Sequence, residues 1–182
     1  MLIAGFGRFG QMVGRVLRAR HIRFTALEIS QAQVDFLRRF GNRLHYGDAS
    51  RLEVLRSAGA GEAELLVLAI DDVEASVRTA GLVRRHFPRL RILARARNRQ
   101  HAFRLMDAGV TEIWRETFAS SLELAEAALV ALGTGREIVP APKQVQDEMP
   151  AHVAKLGNLF VHHAFWPAML RKAARDCPGF DS

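Results

Sequence analysis

The stretch Gly5-Phe6-Gly7-Arg8-Phe9-Gly10 constrains this chain more than any other. It follows the apolar run Leu2-Ile3-Ala4. It opens a segment whose apolar residues, Val13, Val16 and Leu17, recur with helical spacing. A strand, a glycine-rich turn and a helix in that order make the phosphate cradle of a dinucleotide site. Gly5 permits the tight turn, Gly7 lets a pyrophosphate approach bare backbone, and Gly10 lets the helix lie close to the sheet. Gly14 extends that smooth face. Unpaired N–H groups at the helix start then hold the phosphates. Such sites carry an acid for the ribose about 20 residues further on. Glu28 stands there, closing the mostly apolar run from Phe24 to Leu27. A carboxylate at that place accepts from both ribose hydroxyls and repels a 2′-phosphate.

A chain of 182 residues allows one domain with a proper core and an appendage. It is 49% hydrophobic and 25% charged, ordinary for a globular protein. The apolar run Leu65 to Ile70 is far too short to span a bilayer. No basic-then-apolar leader is read at the start. The single cysteine, Cys177, rules out an internal disulfide and fits a reducing cytosol. The net charge of +7 is carried almost wholly by arginine, scattered without a dense block. That pattern reads as a solvated surface rather than a nucleic-acid stripe.

Strands and helices are expected to alternate six times. The strands are Met1 to Phe6, Arg23 to Glu28, Arg43 to Tyr46, Leu65 to Ile70, Arg91 to Arg97 and Val110 to Trp114. Ser30, Ser50 and Thr117 are the expected caps of the second, third and last helices. The second helix carries Val34, Leu37 and Phe40, with Phe36 beside them, and ends at Gly41. The last runs to Gly133. The expected fold is α/β: a Rossmann-like, doubly wound parallel sheet of six strands, with an irregular or helical C-terminal tail. Residues 1–135 form the nucleotide-binding domain. Residues 136–182 are a linker, Pro140 to Gln144, and a divergent tail with a loose helix within Pro150 to Arg175. Ligands of such sheets sit beyond the carboxyl ends of the strands. Gly7, Glu28, Asp48, Asp71 and Arg115 all fall at such ends.

Several stretches resemble the RCK N-terminal domain, also called KTN or TrkA-N, of Kef-type glutathione-regulated potassium efflux antiporters. They are Gly5 to Gln11 with Gly14-Arg15, Tyr46-Gly47-Asp48-Ala49, Ser57 to Ala60, Ala69-Ile70-Asp71-Asp72, His86-Phe87-Pro88, Ala94 to Arg97 and Arg115-Glu116-Thr117-Phe118. The resemblance covers Leu2 to about Gly135. It implies a cytoplasmic gating domain at the inner face of the cell membrane, joined to a potassium/proton antiporter as a domain or subunit. It implies NAD(H) or AMP in the cleft, held by Gly5, Phe6, Gly7, Arg8, Phe9, Gly10, Glu28, Asp48, Ala49 and Asp71. It further implies a homodimer through the last Rossmann helix, and glutathione at Arg15 and Arg115. The family usually has Asp where Glu28 stands. Its pattern ends after Gly135, and Pro150 falls where the family's glutathione site is completed by an asparagine. The membrane half is not in this sequence, as in an excised domain, a truncated frame or a free-standing regulator.

The dimer is also legible in the residues. Leu122, Ala125, Leu129 and Leu132 follow a spacing close to a heptad, with Leu124 and Ala128 beside them. The same face could equally pack on its own sheet. The alternative function is a free-standing NAD-dependent oxidoreductase. The Tyr-x-x-x-Lys pair of short-chain dehydrogenases is missing, since Ser50 stands four residues after Tyr46. The residues after Gly135 are too few for a substrate domain. Asp71-Asp72 could serve as an acid/base pair; at a strand end they better suit ribose, water or the amides of the next helix. His162-His163 are adjacent and cannot both face one ion from a helix, and His152 and Cys177 complete no metal motif.

Overall fold

The computed structural model describes residues 1–38 and 44–133. Within them the chain runs β1 (Leu2–Ala4), α1 (Arg8–Ala19), β2 (Thr25–Glu28), α2 (Gln31–Arg38), β3 (Leu44–Tyr46) and α3 (Leu52–Ser57). It continues with β4 (Leu65–Leu68), α4 (Val73–His86), β5 (Arg91–Ala96), α5 (Arg99–Asp107), β6 (Glu112–Arg115) and α6 (Phe118–Ala131). All six strands are parallel, in the order β3-β2-β1-β4-β5-β6. The sheet grows from β1 to one edge, then restarts at β4 on the other side of β1. Such a reversal leaves a crevice between the first and fourth strands.

The strands are apolar at consecutive positions because both faces are covered. Leu2, Ala4, Leu27, Leu66, Leu68 and Ile92 join one buried cluster with Leu55 of α3, Val83 of α4 and Leu105 of α5. The alternate residues Ile3, Ala26 and Val67 join a second cluster with Phe6 and Val34, against which Val13 and Leu17 of α1 pack. Each Leu or Ile so buried contributes about 1.5–3 kcal/mol of hydrophobic stabilisation.

Asp72 and Asn98 cap α4 and α5, accepting from Ala75 N and His101 N. Two expected caps are corrected. The residue before α3 is Arg51, with no side-chain bond; Ser50 instead donates its main-chain N–H to Asp48 Oδ1 at 2.8 Å. Thr117 does stand at the start of α6, but its hydroxyl caps nothing. Its carbonyl accepts from the hydroxyls of Ser120 and Ser121. A competing main-chain or side-chain bond took the role in each case.

The chain divides into two compact units, Met1–Glu116 and Thr117–Ser182. The first holds the whole sheet. In the second, α6 has no buried residue, and Gly133 ends it at φ +76. The expected linker, tail helix and Cys177 lie outside the described residues, as do Gly41 and the side chains of Phe36, Leu37 and Phe40. Among the described residues no helix is long and apolar enough to cross a membrane.

Candidate functional site

The glycine loop is built around Phe6. Its ring is buried, tilted against Phe24 with centroids 5.9 Å apart. Its N–H donates to Glu28 Oε2 at 2.8 Å. Its carbonyl accepts from the side-chain amides of Gln11 (3.1 Å) and Gln33 (2.9 Å). Phe6 therefore anchors the loop, and it is not among the residues that line the cleft.

The glycines divide the same way. Gly5 has φ +85, and a Cβ there would lie 2.6 Å from Ile70 N. A Cβ on Gly10 would collide with the Gly5 carbonyl oxygen, and one on Gly14 would press on Phe6 and Phe24. Those three serve backbone packing, and Gly10, like Phe6, is not among the cleft residues. Gly7 differs: a Cβ there meets nothing within 4 Å. It precedes α1, whose first turn has no side-chain cap, so its N–H groups remain available. Open space beside an uncapped helix start is where an anion is held.

That space belongs to a cleft of about 740 Å³, well within the range of small-molecule sites. Gly5, Gly7, Arg8, Phe9, Glu28, Asp48, Ala49 and Asp71 line it. Glu28 is 7% exposed. Its Oε1 accepts from Ser30 N at 2.9 Å, so each oxygen holds one main-chain bond and keeps a lone pair. Asp48 uses Oδ1 on Ser50 N, and among the described residues its Oδ2 has no partner. The buried Ala49 beside it has a main-chain N–H with no hydrogen bond among the described residues.

The far wall was not legible in the sequence. Arg95 is 5% exposed. It donates to Asp71 Oδ1 at 2.8 Å, to the Ala69 carbonyl at 3.3 Å and, at closest range, to Glu116. Its guanidinium also lies 5.8 Å from the centre of the Phe9 ring. Burial opposes its charge, but the hydrogen bonds to Glu116 and Asp71 outweigh that and raise its pKa. Arg97 reaches Asp71 Oδ2 at 3.4 Å. The hydrogen bond from Arg95 holds the Asp71 carboxyl below its ordinary range. Arg78, Arg97 and Glu116 complete this side. Alternation along β5 put Arg95 and Arg97 on the Asp71 side; that alternating pair was the available signal.

Arg115, expected at a strand end with the glutathione ligand, lies outside the cleft lining. It ends β6, but its neighbour Glu116 faces the cleft and Arg115 does not line it. Burial, then the nearby charge of Arg99, lowers its pKa. Arg15 sits on the exposed side of α1, against Met12 Sδ at 3.8 Å. Between β1, which leads into α1, and β6 stand two other strands.

Fold and cleft together define a Rossmann-type nucleotide-binding domain, with open space beside Gly7 and the Glu28 carboxylate in the cleft wall. A family model described as the TrkA-N domain matches residues 1–116, and the chain belongs to that family, the RCK N-terminal domains. It is similar to the C-terminal domain of Kef from Shewanella denitrificans in its AMP-bound form. That chain is 39% identical over 85% of this chain and 92% of its own, with a TM-score of 0.68. The TrkA-N domain of the inner membrane protein ybaL from Escherichia coli is 27% identical, over 72% of this chain and 94% of its own, with a TM-score of 0.61. The GsuK channel bound to NAD shares the fold, at 19% identity over 69% of this chain and 22% of its own, with a TM-score of 0.60.

Proposed function

We propose that this chain is the nucleotide-sensing regulatory domain of a potassium transport system, and within that class the cytoplasmic gating domain of a Kef-type potassium/proton antiporter. The observation that carries this reading is the open space at Gly7 beside the uncapped start of α1. The other glycines of the loop and helix are hemmed in by backbone or rings; this one leaves room for a ligand. That the similar Shewanella domain is in an AMP-bound form supports an adenine nucleotide as the ligand.

In this reading the parts of the ligand follow the sheet order. Phosphate sits at the start of α1, against Gly7, Arg8 and Phe9. Ribose meets Glu28 at the end of β2. The base then lies over the end of β3, at Asp48 and Ala49. An N–H donor on Ala49 next to a carboxylate acceptor on Asp48 complements N1 and the 6-amino group of adenine. Hypoxanthine or guanine mismatches both positions. The ligand is therefore AMP or NAD(H), and Glu28 disfavours the 2′-phosphate of NADP(H).

No catalysis is assigned. Asp71, the acid best placed for proton transfer, is tied to Arg95 and Arg97 with its pKa lowered. It stays ionised at neutral pH and donates no proton there.

Two copies pair through α6, a helix of fourteen residues with none buried in the single chain. Leu124 and Leu132 are 72% and 79% exposed. Glutathione bound near Arg15 and Arg115 biases the angle between the paired units, and that angle restrains or frees the transporter. A ligand does this only by binding the two arrangements with different affinity.

Calorimetry of the whole chain with AMP, NADH and NADPH tests the reading. AMP and NADH should bind well and NADPH at least about tenfold more weakly. Absorbance in the nicotinamide band should stay flat with alcohols, aldehydes and hydroxy acids. Turnover of any of them would replace a regulator with an oxidoreductase.

A further inference from the structure

Helices α1, α3 and α5 end in the same hydrogen-bonded turn. Ile22 N, Ala60 N and Val110 N donate to the carbonyls of Leu17, Leu55 and Leu105 at 2.9, 3.0 and 3.0 Å. The residue before each, His21, Gly59 or Gly109, donates to the carbonyl three positions back. Such a turn needs a left-handed residue, and glycine is the usual one. Gly59 and Gly109 both have φ +83, but α1 places His21 there, at φ 56. A side chain in that conformation carries strain that glycine avoids. The apolar residue that follows is also treated differently. Ala60 and Val110 are each 1% exposed, whereas Ile22 is 46% exposed. The end of α1 thus keeps a strained histidine and turns its isoleucine outward.

Cations surround that isoleucine. Arg18, Arg20 and Arg23 are exposed, and no salt bridge among the described residues uses them. No acid precedes Glu28 in the sequence. Helix α1 starts at the cleft and runs back along the sheet, so its end lies at the amino ends of the strands, away from the nucleotide. Thr25 N donates to the Met1 carbonyl at 3.1 Å, which sets this turn beside the start of β1. Glu62 and Glu64, acids at the same end, precede β4 on the other side of β1. Guanidinium groups bind phosphate oxygens, and a basic rim round an exposed apolar side chain suits the boundary between headgroups and acyl chains. In the reading above, a membrane part precedes this domain and joins it at Met1, next to this turn. That position favours lipid over an acidic protein as the occupant.

We infer that the end of α1, with Arg18, Arg20, His21, Ile22 and Arg23, is a docking surface for the anionic headgroups of a bilayer. The inference rests on the membrane-attached reading proposed above.

The test is co-sedimentation of the whole chain with vesicles of phosphatidylcholine alone and of phosphatidylcholine mixed with phosphatidylglycerol, at low salt. The native chain should bind the mixed vesicles and not the neutral ones, and added salt should weaken the binding. Arg20→Glu and Arg23→Glu should each weaken it by at least about fivefold, the worth of one cation near an anionic surface. Arg51→Glu makes the same change of net charge at the other end of the sheet, before α3, and should bind like the native chain. His21→Gly gives α1 the turn of α3 and α5; it should melt no lower than the native chain and still bind the vesicles more weakly. AMP affinity should not change in any of these variants, showing that all fold. Native binding by Arg23→Glu or His21→Gly, or an equal loss in Arg51→Glu, overturns the docking surface. A native chain that binds AMP but neither kind of vesicle removes lipid as the occupant and leaves the nucleotide reading standing; one that does not bind AMP fails that reading instead.

Discussion

The N–H of Phe6 donates to Oε2 of Glu28 at 2.8 Å, across 22 residues of sequence. Glu28 therefore does two jobs. It fixes the glycine loop to the end of β2, and in the proposed reading it offers its remaining lone pairs to a ribose. Glu28→Gln keeps one oxygen but points an amide donor at a main-chain N–H. It should lower stability by about 1–3 kcal/mol and narrow the preference for NADH over NADPH. A thermal melt and paired titrations measure the two effects; an unchanged preference would show that the ribose lies elsewhere.

Gly7 and Gly10 should separate cleanly. Gly7 has φ −69 and open space, so Gly7→Ala should melt like the native chain and bind AMP more weakly. Gly10→Ala drives a methyl group into the Gly5 carbonyl. It should cost at least about 1–3 kcal/mol. Equal melting of the two variants would contradict the division of roles.

In the proposed reading, base choice rests on Asp48. Its Oδ1 is held by Ser50 N, so in Asp48→Asn the amide nitrogen takes the free position. A donor then faces the 6-amino group of adenine and suits the 6-oxygen of hypoxanthine. The native chain should prefer AMP to IMP, and Asp48→Asn should shrink or reverse that preference in competition titrations. A preference unmoved by the substitution would place the base away from β3.

His101 predicts a pH dependence of stability. It is 1% exposed, and its Nδ1 accepts from Arg97 N at 3.2 Å, so the proton sits on Nε2. Burial first, then the charges of Arg104, Arg95 and Arg97, hold its pKa below 6.5, with Asp72 opposing. Between that lowered value and 6.5 the unfolded chain carries the extra proton. The contribution is complete above 6.5 and is lost as pH falls toward the folded value. Melting temperature should drop between about pH 7.5 and about pH 5.5, and His101→Gln should flatten that limb. An equally steep limb in the variant would assign it to other groups.

The sheet was legible because its strands are apolar at consecutive positions and its turns carry glycine. Leu65 to Ile70 and Gly5 to Gly10 are examples. The near half of the cleft followed, since Gly7, Glu28 and Asp48 each end a strand. The far half did not. Arg95 looks like any surface arginine until the parallel register lays β5 between Asp71 of the neighbouring β4 end and Glu116 after β6. Pairings of that kind join residues more than 20 positions apart, and local pattern carries no trace of them. Strand ends also decided Arg115: one step of alternation turns Glu116, not Arg115, into the cleft.

Binding of AMP at Gly7 is the claim on which the regulatory account stands, and titrating AMP into the native chain and into Gly7→Asp measures it directly. The native chain should take up one AMP, while the aspartate, which fits the open space but repels phosphate, should abolish binding without lowering the melting temperature. Equal affinity in the two proteins would place the nucleotide outside this cleft and contradict the account.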